Sequence, residues 1–162
     1  MPRPDPVPTR RPSASRDGAR RTRVLFVKYH EAADQQPMSQ KAAEKMGIFP
    51  SLALGALAAL LRREHYPVGV LDLHAENLLV ADAEGRVRDF DPQVVGLTCK
   101  TLGWPAVIQV ARMVRRAAPK ALVVVGGPHM SIYPEETLTW DCFDIAVAGD
   151  GAFDDVKSEP AD

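Results

Sequence analysis

Three observations predict a doubly wound α/β sandwich from this sequence. Short apolar, β-branched runs of strand length recur five times, at 24–27, 68–73, 94–98, 121–125 and 144–148. Segments with helical spacing stand between them, so strands and helices alternate. The run Ala121-Leu122-Val123-Val124-Val125 is apolar throughout, which predicts burial on both faces, as in a parallel sheet. Right-handed crossovers then give a Rossmann-like, flavodoxin-like five-stranded parallel sheet flanked by helices, three layers in all.

Each element follows from local pattern. Val24-Leu25-Phe26-Val27 reads as a buried first strand. Residues 30–50 show no strand pattern, and Ser39 to Met46, closed by Gly47, predicts one or two helical turns. A firm helix starts at Pro50-Ser51. Its Leu54, Leu57, Ala58 and Leu61 fall on one stripe, with Arg62-Arg63 at the negative end of the dipole. His65, just beyond, reads as a surface residue. The second strand ends near Asp72. Residues 75–92 are polar, and they predict a short helix at 75–80 and then a loop or small hairpin around Gly85 and Pro92. Val94 to Thr98 is the third strand. Pro105 opens a helix, where its missing N–H costs nothing. Val107, Val110, Ala111 and Val114 form the buried stripe of that helix, and Gln109, Arg112 and Arg116 face outward. Pro134-Glu135-Glu136 begins a short helix, with its acids where the dipole favours them.

Composition bounds the function. The 162 residues are 46% hydrophobic and 25% charged, which suits one globular domain. No apolar run reaches the roughly 18 residues that would span a bilayer. Two cysteines, Cys99 and Cys142, exclude a disulfide framework and a four-thiolate metal or iron–sulfur site. A net charge of −1 argues against general nucleic-acid affinity, so neither nucleic acid nor membrane is expected as a partner. The charge is uneven: residues 1–23 carry +5 and the remainder −6. Five prolines in the first twelve residues and seven arginines before residue 24 predict a disordered tail over 1–23. The tail lacks the apolar core of a secretory signal, which points to a cytoplasmic protein. A transit peptide, or a basic arm touching RNA or acidic lipid, are the alternatives to a solvated tail. The folded domain is expected over 24–156, followed by a C-terminal tail at 157–162.

In such a sheet, ligands bind beyond the carboxyl ends of the strands. Four loops therefore matter: 28–50, 98–104, 126–133 and 149–152. Gly126-Gly127 directly after a buried strand lets backbone approach a bulky ligand closely, although a lone Gly-Gly is also read as a plain turn. Gly149-Asp150-Gly151 follows the next strand, and two stripped loops on one rim suggest a slot between them. The chain has no G-x-G-x-x-G after strand one and no G-x-x-x-x-G-K-[ST]. The first loop, about twenty residues, is too long for a tight phosphate turn. Asp72-Leu73-His74 has the form of a carboxylate-oriented metal ligand, but at the flank of the sheet. His129 stands at the crevice and is a candidate for ligand contact. Cys99 reads as a small hydrophobe rather than a nucleophile.

In order along the chain stand Pro50-Ser51-Leu52-Ala53-Leu54-Gly55-Ala56-Leu57, Val70-Leu71-Asp72 and Val95-Gly96-Leu97-Thr98. Gly126-Gly127-Pro128-His129-x-Ser131-x-x-Pro134-Glu135-Glu136-Thr137-Leu138 and Asp144-x-x-Val147-x-Gly149-Asp150-Gly151 follow. This series resembles the N-terminal cobalamin-binding domain of cobalamin-dependent radical S-adenosylmethionine (SAM) proteins, over about residues 24–153. The resemblance implies a Rossmann-like module that holds cobalamin for a methyl-transfer or rearrangement reaction of a radical SAM catalytic domain or subunit. It implies that Thr98, Cys99, Lys100, Thr101, Gly126, Gly127 and Pro128 border the slot for the cofactor's nucleotide tail. Tyr29, His30, His129, Gly149, Asp150 and Gly151 would lie near the corrin. Many cobalamin modules carry Asp-x-His-x-x-Gly after strand one, whose histidine ligates cobalt. Here Lys28-Tyr29-His30-Glu31-Ala32-Ala33 keeps the histidine but replaces the aspartate and the glycine. His30 is thus the candidate cobalt ligand. The family's Cys-x-x-x-Cys-x-x-Cys cluster motif is not among these residues, so no iron–sulfur cluster is expected on them. The alternative function is a ligand-free structural or regulatory interaction domain.

Overall fold

A computed structural model describes residues 22–29 and 51–149. The expected helical turns at 39–46, residues 1–21 of the predicted N-terminal tail, the predicted C-terminal tail, and site candidates His30, Asp150 and Gly151 lie outside them. Five parallel strands form one sheet in the order β2-β1-β3-β4-β5. They are β1 (Val24–Lys28), β2 (Val68–Asp72), β3 (Val94–Thr98), β4 (Leu122–Gly126) and β5 (Ile145–Val147). The helices are α1 (Leu52–Arg63), α2 (Val80–Phe90), α3 (Trp104–Ala117), α4 (Pro128–Ile132) and α5 (Pro134–Leu138). A single 3-10 turn, Thr101–Gly103, leads into α3.

Local chemistry accounts for most of these limits. The Ser51 hydroxyl accepts from the Leu54 N–H and caps α1, whose buried Leu54 and Ala58 lie on the expected stripe. All four expected core residues of α3 are buried. Val107, Val110, Ala111 and Val114 are at most 1% exposed, while Gln109, Arg112 and Arg116 face solvent. His65 is exposed, in a left-handed conformation (φ 64°) just past α1. The reading of 75–92 is corrected. Residues 73–77 turn, and a full helix, α2, runs from Val80 to Phe90. Ala83 and Val87, one turn apart, bury its inner face. Gly85 sits on the outer face, where a Cβ would meet nothing, so it marks no break. Asp91, in the left-handed region at φ 49°, ends the helix just before Pro92.

Side chains alternate across each strand, and the two faces of the sheet are covered unequally. Leu25, Val27, Leu71, Val95, Leu97, Val123, Val125 and Ala146 pack with residues of α2, α3 and α4 into the main core. On the opposite face Val24 and Phe26 pack with Leu54 and Ala58 of α1. Among the described residues α1 alone supplies the helical side of that second layer. The burial of β4 on both faces is therefore corrected. Val123 and Val125 are fully buried, but Leu122 is 49% exposed and Val124 half-buried. No described helix of this layer reaches over β4 and β5.

Candidate functional site

The chain leaves β1 toward β2 on one side and toward β3 on the other, so the sheet's switch point lies between β1 and β3. Lys28 and Asp72 end β1 and β2 as register partners. The Lys28 ammonium lies 3.7 Å from Asp72 Oδ2, with both side chains largely buried. Asp72 Oδ1 accepts from the N–H groups of His74 and Ala75 at 3.1 and 3.0 Å. Asp72 thus pins the turn after β2. Among the described residues no group of three or more His, Cys, Asp or Glu side chains gathers as a metal site.

Tyr29 is buried, and its phenol ring occupies the space that a side chain at Gly103 would need. The loops after β3 and β4 are knitted together. Cys99 N–H donates to Gly126 O at 2.8 Å, and His129 N–H donates to Cys99 O at 3.2 Å. Gly127 has φ 101°, and a Cβ there would lie 2.8 Å from Cys99 O. Its glycine is required by the neighbouring backbone, before any ligand is considered. Gly149, at φ 83°, donates its N–H to Ser131 Oγ at 3.0 Å, tying the loop after β5 to α4. Pro128 is the first residue of α4, and Lys100 and Thr101, just before and at the start of the 3-10 turn, are exposed. Burial pushes the Cys99 thiol up to about 12, so it stays protonated near neutral pH.

His129 is 4% exposed and sits in an aromatic column. Its ring lies 4.6 Å from Trp104 and 5.2 Å from Tyr133. Trp104 in turn stacks on Phe143 at 5.4 Å. His129 Nδ1 is 3.3 Å from Thr101 Oγ1. Nε2 is buried and has no hydrogen-bond partner among the described residues.

Gly126 differs from its neighbour. A Cβ there would make only ordinary contact with Val147, at 3.7 Å. Thr98, Gly126 and Val147 are successive register partners across β3, β4 and β5, on the face that α1 leaves uncovered. Val124 and Ile145 continue the strip away from the rim, half-buried. Among the described residues the result is a low, half-buried apolar shelf with one hydroxyl, at the carboxyl ends of the strands. The structure thus brings Thr98, Cys99, Thr101, Gly126, Gly127, Pro128 and His129 to one rim. Tyr29 is on the same rim but turned into the packing under Gly103. Sequence reading missed Val124, Val147 and Ile145. Counting two residues back from Gly126 would have found Val124, since residues two apart share a face.

A five-stranded all-parallel sheet in the order β2-β1-β3-β4-β5, with helices packed against it, defines a Rossmann-like α/β domain. Residues 42–157 match the family described as B12 binding domain, and the chain belongs to that family. Over 103 residues it is 36% identical to the "Uncharacterized methyltransferase PH0819" of Pyrococcus horikoshii, covering 63% of this chain and 22% of that protein. The fold is shared with the cobalamin-dependent S-adenosylmethionine radical enzyme OxsB. The structure with aqua-cobalamin and S-adenosylmethionine bound matches at a TM-score of 0.58 and 17% identity, over 81% of this chain and 17% of that one. The structure with aqua-cobalamin bound matches at 0.53 and 18%, over 74% and 16%. The chain therefore spans about a fifth of the length of these proteins. Among the described residues no helix is long and apolar enough to cross a membrane.

Proposed function

We propose that this chain is a cobalamin-holding module that presents the cofactor to a radical SAM catalytic region, for methyl transfer or rearrangement. The observation that carries the reading is the shelf at Thr98, Gly126 and Val147, in a chain of the B12 binding domain family. The residues fit the group: Gly126 adds no side chain to the shelf where a flat tail would lie, and the rim holds a buried imidazole nitrogen with no hydrogen-bond partner among the described residues. Cobalamin, when bound, supplies the cobalt–carbon chemistry, and the protein's part is to bind and orient it.

Thr98 Oγ1 offers the shelf's hydroxyl to the polar nucleotide portion. Gly126, Val124 and Val147 exclude water from its apolar base. His129 Nε2 gives or takes a hydrogen bond at the corrin periphery, while Trp104 and Thr101 hold its ring. Cys99 and Gly127 keep the β3 and β4 loops in register, and Lys100, Pro128 and Gly149 complete the rim. Tyr29 supports the 3-10 turn. His30, Asp150 and Gly151 remain candidates for contact with the corrin, with His30 the candidate cobalt ligand.

The test is retention of the cofactor. Purified chain is mixed with hydroxocobalamin, desalted, and examined by visible absorption. The wild type is expected to keep stoichiometric corrin absorbance. A Gly126→Leu variant is expected to lose it with an unchanged unfolding midpoint, because the added side chain stands on the shelf and not in the core. Absence of corrin absorbance in the folded wild type would overturn the reading.

A further inference from the structure

We propose that Phe26 is the wall that limits how far the base of the cofactor's tail descends along the shelf, so that it selects corrinoids by the size of that base. The inference rests on the cobalamin reading above. Phe26 of β1 and Gly96 of β3 are register partners on the α1 face. The Phe26 ring leans across the pair: a Cβ at Gly96 would lie 2.6 and 2.7 Å from its Cδ1 and Cε1. Gly96 in turn neighbours Val124 of β4. The surface is therefore low at the rim, over Thr98 and Gly126, and steps up one pleat deeper where the ring covers Gly96.

The wall is backed by the core: Phe26 is 8% exposed and packs in one cluster with Val24, Leu54 and Ala58. Its chemistry suits a planar apolar base, which gains from meeting an aromatic ring by edge or face. It also sets a hard limit. An apolar pocket wall discriminates a group one ring or one methylene too large by about ten- to two-hundredfold.

The experiment compares two tailed corrinoids that differ only in base size. One is cobalamin, with dimethylbenzimidazole; the other is its counterpart with a third fused ring. Affinities are read from quenching of tryptophan fluorescence in the full chain. Wild type is expected to favour cobalamin. Phe26→Leu removes the far edge of the wall with little change in volume, and should move the affinity ratio about tenfold toward the larger base. Phe26→Val cuts the wall back further and should move the ratio further in the same direction. Urea unfolding of each variant separates selectivity from damage to the fold, and either folded variant decides the question. A ratio unchanged in the folded variants overturns the role of Phe26 and leaves the cobalamin reading standing. Wild type that binds neither corrinoid overturns both.

Discussion

The backbone of Cys99 fills the space that a side chain at Gly127 would require: Cys99 O lies 2.8 Å and Cys99 N 3.0 Å from the position of its Cβ. The adjacent glycine, Gly126, is under no such constraint. The two neighbouring glycines therefore differ: the chain's own packing requires one and not the other. Gly127→Ala combines a positive φ with a backbone clash and is expected to cost about 1–3 kcal/mol. Gly126→Ala should stay within about 1 kcal/mol of wild type. Urea denaturation of the two variants checks the contrast, and equal losses would show that the pair acts as a single turn.

Lys28 and Asp72 form a mostly buried ion pair that joins the ends of β1 and β2 beside the switch point. Asp72→Asn keeps an oxygen for the His74 and Ala75 amides but leaves the Lys28 charge without its carboxylate. The expected loss is about 2 kcal/mol. Adding Lys28→Met removes the charge that faced the carboxylate and should recover part of that loss. A thermodynamic cycle on urea midpoints measures the coupling, and strictly additive losses would mean that the pair contributes nothing.

Strand positions were legible because each strand is a short apolar run between turn residues, and α1 and α3 because their stripes keep a clean helical period. Helix α2 was hidden. Its inner face needs only Ala83 and Val87, with Leu78 and Phe90 at its ends, and its outer face carries Asp82, Glu84, Gly85, Arg86 and Arg88. Polar composition with a glycine reads as loop when burial is supplied by so few residues. The rim was legible for a different reason: chain order fixes which loops share the carboxyl edge. Sequence did not reveal the difference between Gly126 and Gly127, because it depends on where Cys99 of another strand lies. Nor did it reveal that one face of β4 stays half-open, because an unbroken valine run looks the same whether or not a helix covers it.

Burial raises the Cys99 thiol from 9.0 to about 12 and moves Cys142 in the same direction. Between those limits an unfolded chain gives up the Cys99 proton while the folded chain keeps it. The stabilisation is thus complete below about pH 9 and is lost as pH rises toward 12, at up to about 1.4 kcal/mol per pH unit for one such thiol. Unfolding midpoints measured from pH 7 to 11 should fall on this alkaline side. A Cys99→Ala variant should show a shallower fall, and native protein should resist iodoacetamide at pH 8 until denatured. Rapid alkylation of the native chain would contradict the assigned burial.

His129 carries the sharpest separation of fold from function. Its ring is held between Trp104 and Tyr133, and its Nε2 is buried without a partner among the described residues. Phenylalanine keeps the ring and removes the stranded nitrogen, so His129→Phe should unfold within about 1 kcal/mol of wild type. His129→Ala loses the stack and should cost about 2–3 kcal/mol. If the nitrogen contacts the cofactor, the phenylalanine variant, though stable, should retain hydroxocobalamin about tenfold less well, the loss of one hydrogen bond in a desolvated site. Undiminished retention by His129→Phe, with weakened retention by His129→Ala, would assign the histidine to the aromatic packing and remove it from the binding site.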